Sequence, residues 1–349
     1  MKLTYMYPMR KRVSFTLIAK KHIAQLRKRG VEVVEADIHS FTPRQLSPLT
    51  LVHPVFYPLI DSPQSYRTII RHADCLVGFD VCDTDKISPL AAYVANLFDL
   101  ILVPTSWCKQ VYQRSGVISR VDVLPHGVDE VFLREPREPK DPDVKKIHEM
   151  KGRKILFFLW HSGFRKGADV VAEAFARLVK EFNDVYLIVK IAQLWDPLLQ
   201  YMFHLPNVVI FNKWLSDEDL VDLYDACDIV VCPSRGGGFE LNALEGLARG
   251  KIVIVSQWGA FDDYAKECLR VASKSTIDLF LGDHIAKTIH CGKGVDPDPV
   301  DLYNKLKLVL GLYDSFKAKF ERLSIIVKRA FTWDAIGERL FKMLKPLMS

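Results

Sequence analysis

The chain has 349 residues, 49% of them apolar and 26% charged, with a formal net charge of +6. That length allows two domains, each with a full core, and that composition excludes a disordered, collagen-like or disulfide-stapled protein. No apolar run approaches the ~20 residues of a membrane-spanning helix; Ile155 to Trp160 is typical of the longest. Met1-Lys2 leads into a short strand pattern rather than a long apolar segment with a cleavage site, so no secretory leader is expected. The seven cysteines are not spaced as zinc ligands, and Cys227 and Cys232 read as core thiols, which points to a cytoplasmic, reducing location.

The pattern opens with a strand over Leu3 to Tyr7. Nine Lys or Arg and no acid then fall within the first thirty residues. Phe15, Leu17, Ile18, Ile23 and Leu26 among them predict an amphipathic helix ending near Gly30, suited to an anionic membrane surface or a phosphorylated acceptor. Strands follow over Val31 to Ala36 and Leu51 to Val55, a helix over Tyr66 to Arg71, and a strand over Cys75 to Phe79. The acids Asp80, Asp83 and Asp85 come just after that strand. A helix from Pro89 to Phe98, a strand from Leu100 to Pro104, a helix from Lys109 to Ser115 capped by Ser106, and a strand from Val121 to Leu124 complete a first α/β half. The run from Arg134 to Lys154, dense in Pro and charge, shows no apolar face and reads as a linker, with or without one exposed helix.

The pattern restarts with a strand from Lys154 to Trp160, the loop HSGFRKG and a helix from Asp169 to Phe182. Strands at Val185 to Ile191 and Val208 to Phe211 precede a helix from Asp217 to Cys227. Ile229 to Cys232 is a β-branched buried strand, followed by Gly236-Gly237-Gly238, a helix carrying Leu241, Leu244, Leu247 and Ala248, and a strand from Ile252 to Val255. Such a strand–glycine loop–helix–strand unit puts its loop at the carboxyl edge of a parallel sheet, where ligands bind. Glycines also let backbone N–H groups approach a phosphate beside a helix N-terminus. Helices over Pro297 to Leu312, Phe316 to Arg329 and Trp333 to Leu347 close the chain.

Several segments resemble the retaining glycosyltransferases of family 4, which have two Rossmann-like domains facing across a cleft (the GT-B fold). These are PTSWCKQVYQRSGV with VLPHGVD, SGFRKGADVVAEAF, WLSDEDLVDLYDACDIVVCPS, GGFELNALEGLARGKIVIVS and FTWDAIGERLFKML, in that order from about residue 75 onward. The resemblance implies an acceptor-side domain over 1–135, a linker over 136–153, a nucleotide-sugar domain over 154–330, and a last helix over 331–349 crossing back onto the first domain.

Carried over by position, Lys166 matches the lysine that contacts the donor diphosphate. The family's partner arginine falls at Trp160, so Arg165 is the candidate substitute. Glu245 matches the second glutamate of Glu-x7-Glu, which accepts the ribose hydroxyls, a task suited to a carboxylate. Gly236, Gly237, Gly238, Phe239, Leu241 and Asn242 line the implied donor loop, and Leu215 belongs to the nucleotide-side segment. The first glutamate of that motif is replaced by Gly237, and the family's Gly-Phe-Gly becomes Gly238-Phe239-Glu240. Glu240 then supplies the carboxylate from a shifted position, or faces away while loop amides hold the sugar, or the chemistry is lost. Acceptor-side candidates are Asp83, Asp85 and His53.

The implied activity moves a hexose from a nucleotide-diphosphate sugar to a glycan or lipid-linked acceptor hydroxyl with retention. The leaving phosphate assists proton removal, and neither a metal nor any other cofactor is expected. Two alternatives stand beside it: a nucleotide-sugar-binding partner subunit without activity, and a sugar-nucleotide epimerase or hydrolase of the same architecture. A nucleic-acid partner is not expected, since no such module is present. The implied location is cytoplasmic, with peripheral membrane contact through the basic helix.

Overall fold

The computed structural model describes residues 2–11, 13–56, 63–159, 162–191, 196–279, 281 and 284–347. The chain forms two compact units, one of Met1–Gly127, Asp283–Gly292 and Phe331–Ser349, the other of Val128–Gly282 and Lys293–Ala330. Each is built on a six-stranded parallel sheet, the α/β architecture that alternating strand and helix patterns predict.

In the first unit β1 (Lys2–Tyr7), β2 (Glu32–Asp37), β3 (Leu49–Val52), β4 (Cys75–Phe79), β5 (Leu100–Val103) and β6 (Arg120–Val123) lie in the order β2-β1-β3-β4-β5-β6. Strands β1, β3, β4 and β5 are almost wholly buried, as apolar runs covered on both faces must be. The second unit holds β7 (Arg153–Leu159), β8 (Val185–Ile191), β9 (Val208–Asn212), β10 (Ile229–Cys232), β11 (Ile252–Ser256) and β12 (Leu269–Val271), in the order β12-β11-β10-β7-β8-β9. An antiparallel ribbon, β13 (Ser273–Asp278) with β14 (Lys293–Pro297), has no counterpart among the sequence expectations.

Two local expectations are corrected. The helix expected to begin at Lys109 runs over Ser106–Arg114, and its cap is Thr105, whose hydroxyl accepts from the Cys108 amide. Residues 136–153 are not an apolar-free linker: Pro142–Glu149 is a helix that buries Val144 and Ile147. The same stretch is strapped to the helix Asp217–Ala226 because the fully buried Asp222 carboxylate accepts from both Arg134 and Arg137. The basic helix, Ser14–Lys28, buries Ile18, Ile23 and Leu26, leaving Leu17 exposed. Lys28 and Arg29 are paired with Asp334 and Glu338 of the terminal helix Trp333–Leu344. Ile18, Ile23 and Leu26 of its apolar face are thus spent on intramolecular packing.

Candidate functional site

Strands β7 and β10 are neighbours in the second sheet, and the chain runs from them in opposite directions, to β8 and β9 on one side and to β11 and β12 on the other. That is a topological switch point, where loops leaving the carboxyl ends diverge and open a crevice. The loop after β7 carries Ser162 to Gly167, with a single helical turn over Gly163–Lys166, and the loop after β10 carries Pro233 to Phe239.

Backbone contacts lock the two loops together. The Arg235 amide donates to the Arg165 carbonyl at 2.7 Å. Gly167 has φ +76° and lies so close to Pro233 that a Cβ there would stand 2.4 Å from its carbonyl oxygen. Only glycine satisfies both conditions. The Arg235 guanidinium, 4% exposed, ties the pair from beneath by donating to the Phe164 carbonyl and bidentately to Asp169 at 2.7 and 2.8 Å, with Asp296 as a further acceptor.

On this frame a charged cluster converges. Lys166 Nζ donates to Glu240 Oε2 at 2.5 Å, Arg165 Nη1 lies 3.8 Å from Glu240 Oε1, and Ser234 Oγ donates to Oε1 at 3.0 Å. Arg165 also donates to the Gly236 carbonyl at 3.1 Å. Burial lowers the Lys166 pKa, and the Glu240 carboxylate opposes that shift. Gly237 has φ +146°, and a Cβ built on it would stand 3.0 Å from Glu240 Oε1 and 3.3 Å from Arg165 Nη1. The Glu240 carboxyl group thus occupies the space toward which a side chain at position 237 would extend.

Two aromatic residues hold the loop from behind. Trp258 Nε1 donates to the Gly237 carbonyl at 2.8 Å. The Tyr264 hydroxyl meets both the amide and the carbonyl of Glu240, at 3.1 and 3.2 Å, while its ring stacks on Phe239 with centroids 4.4 Å apart. Glu240 is the last residue before the helix Leu241–Ala248 and does not cap it, so its carboxylate is free to face Lys166. Leu241 and Asn242 are half-buried in the first turn.

Glu245 lies in the second turn of that helix, half-buried, with the Tyr224 hydroxyl donating to its Oε2 at 2.7 Å. Burial pushes the Glu245 carboxyl up to about 7 against the pull of that hydrogen bond, and Asp129 and Asp217 push the same way as burial. Leu215 is half-buried just beyond β9, two strands from β7. Trp160 and His161 lie outside the described residues.

The acceptor-side candidates divide. Asp83 is half-buried and Asp85 exposed, both after β4. His53 is 1% exposed and belongs to the core, its ring 4.7 Å from Phe79 and its Nδ1 3.1 Å from the Tyr5 hydroxyl. A histidine before a proline carries no sequence mark of burial, so only packing could reveal this. Their neighbour Asp80 is also buried and accepts from the amides of Val55, Phe56 and Val81, which fixes the loop after β3. Sequence reasoning missed Ser234, Tyr264, Trp258 and Tyr224. For Tyr224 a signal existed, because a tyrosine on the buried face of a helix needs a partner for its hydroxyl. Among the described residues no group of three or more His, Cys, Asp or Glu side chains is placed to hold a metal ion, and none of the helices is long and apolar enough to cross a membrane.

Residues 139–270 match the family model described as Glycosyl transferases group 1, so the chain carries a domain of that group. A relative named "Putative glycosyltransferase 45", from a Sulfolobus islandicus filamentous virus, is 27% identical over 329 residues, covering 91% of this chain and 87% of its own. A glycosyltransferase from Rickettsia africae superposes with a TM-score of 0.72 at 15% identity, over 100% of this chain and 98% of that one. The Anabaena protein HepE in complex with UDP-glucose superposes with a TM-score of 0.70 at 14% identity, over 99% of this chain and 100% of that one. The fold is that of the GT-B glycosyltransferases.

Proposed function

We propose that the protein is a retaining glycosyltransferase of family 4 type. It moves a hexose from a nucleotide-diphosphate sugar to an acceptor hydroxyl and needs no metal for the chemistry. The observation that carries this reading is the convergence of Lys166, Arg165 and Glu240 at the switch point of the second sheet. The group 1 match over 139–270 and the UDP-glucose bound by HepE support the choice of donor class.

In this reading Lys166 and Arg165 neutralise the diphosphate, the task a metal would otherwise perform. A buried cation beside a buried carboxylate can exchange partners with an incoming anion without first being stripped of water. Glu240, standing where a side chain at 237 would point, takes the role of the carboxylate that faces the donor sugar. Gly236 to Phe239 offer backbone N–H groups, and Glu245 accepts the ribose hydroxyls. The acceptor attacks from the face the diphosphate leaves, and a leaving phosphate oxygen takes its proton, so positioning replaces a strong side-chain base. Asp83 and Asp85 are the acceptor-side groups of the first unit.

Calorimetry against UDP-, GDP- and ADP-glucose and the matching mannose donors, with and without EDTA, tests the reading. One nucleotide sugar should bind, equally with EDTA, and Lys166→Ala should weaken it. Transfer to a model glycan with the anomeric configuration kept completes the test. Binding that is absent for every donor, or an inverted product, would overturn it.

A further inference from the structure

The hydroxyl of Tyr224 has one proton to give, and two acceptors lie near it: Glu245 Oε2 at 2.7 Å and the Asn242 carbonyl at 3.4 Å. The shorter, charge-assisted bond takes the proton. Burial and the neighbouring Glu245 both raise the Tyr224 pKa, so the phenol remains a donor at every pH the folded protein meets. The ring cannot swing away, because it is fully buried between Phe132 and Phe158, with centroids 5.6 and 5.3 Å from its own. Glu245 Oε1, by contrast, has no partner among the described residues.

We infer that Tyr224 is a positioning residue for donor binding: by holding one oxygen of Glu245, it fixes the carboxyl group in place and presents the other oxygen to the ribose. This rests on the reading of Glu245 as the ribose acceptor. The charged and titratable groups acting on Glu245 are Tyr224 and Asp217 from the helix Asp217–Ala226 and its start, Asp129 from the loop after β6, and Cys232 from β10. Of these only Tyr224 lowers its pKa. Removing the hydroxyl therefore leaves burial and two carboxylates unopposed. The carboxyl then holds its proton to higher pH, and a protonated carboxyl has lost an acceptor lone pair.

The test is Tyr224→Phe in the full chain, with Kd measured for UDP, GDP and ADP and their 2′-deoxy counterparts from pH 6 to 9. Wild-type affinity for the preferred nucleotide should fall on the acid side of about pH 7, the value to which Glu245 is raised. If the hydroxyl is worth about one pKa unit, the variant binds about five-fold more weakly at pH 7 and nearly normally at pH 9. Its preference for ribose over 2′-deoxyribose shrinks along the same curve. A merely structural role would give a loss that is equal at all pH values, and that result overturns the inference. Glu245→Gln separates the two claims. If it leaves the ribose preference intact, the ribose reading of Glu245 is wrong. If it abolishes the preference while Tyr224→Phe shows no pH-dependent loss, only the Tyr224 inference falls. Should Tyr224→Phe not fold, a wild-type ribose preference that is flat from pH 6 to 9 would still overturn the inference.

Discussion

The carboxyl ends of the two parallel sheets make an instructive pair. In the second unit that edge is built from glycines and paired charges, with Lys166, Arg165 and Ser234 around Glu240. In the first unit it is filled with rings. The Tyr5 hydroxyl touches Nδ1 of both His22 and His53, the two imidazoles stack with centroids 6.1 Å apart, and Phe79, His126 and Trp333 enclose them. Burial drives the pKa values of His22 and His126 down to about 3 and that of His53 well below its usual value, so these histidines are neutral packing groups. Parallel-sheet topology delivers side chains to both edges equally. Whether the edge is a core or a site depends on whether its buried polar groups are kept neutral or given counter-charges that an anionic ligand can replace.

Acidification should separate the two edges most sharply. A buried imidazole that protonates only on unfolding stabilises the fold fully above its unfolded pKa of about 6.5 and loses that stability as pH falls toward its folded value. For His22 and His126 together, moving from pH 7.5 to 5 removes up to about 4 kcal/mol. Urea unfolding at those pH values reads it, and replacing His22 by Phe should flatten the slope. A stability unchanged at pH 5 would mean the cluster is not buried as described.

Next in size is Lys166→Ala, for which we expect about a 100-fold loss of transfer, near 3 kcal/mol, from removing one preorganised cation. Activity within three-fold of wild type would move the site elsewhere. A smaller effect is expected for Gly237→Ala. Its φ of +146° and the 3.0 Å approach to Glu240 Oε1 set a methyl group against the Glu240 carboxylate. We expect about 1–3 kcal/mol of destabilisation from the backbone strain and a matching loss of turnover, checked by melting curves and initial rates. The pH-dependent five-fold effect of Tyr224→Phe is the smallest of the set and refines the charged edge alone.

Much was legible in the sequence because it is local. Period-two and period-3.6 patterns marked the strands and helices of both sheets, and three glycines between a buried strand and an apolar helix marked the loop at the switch point. Lys166 became a candidate from its place before Gly167 in the segment that resembles the family, and Glu245 from its distance past the glycine loop. Other features join residues far apart in the chain, and only the tertiary structure decided them. Glu240 turns toward a lysine 74 positions earlier because Tyr264 and Trp258 fix the loop that carries it. His53 is core because Tyr5, Phe79 and His22 close around it. The basic end of the first helix, Lys28 and Arg29, is paired with Asp334 and Glu338 of the terminal helix, some 300 residues later. Periodicity records which face of an element is apolar, but not which partner covers it. That choice belongs to packing, where burial and charge pairing are settled together.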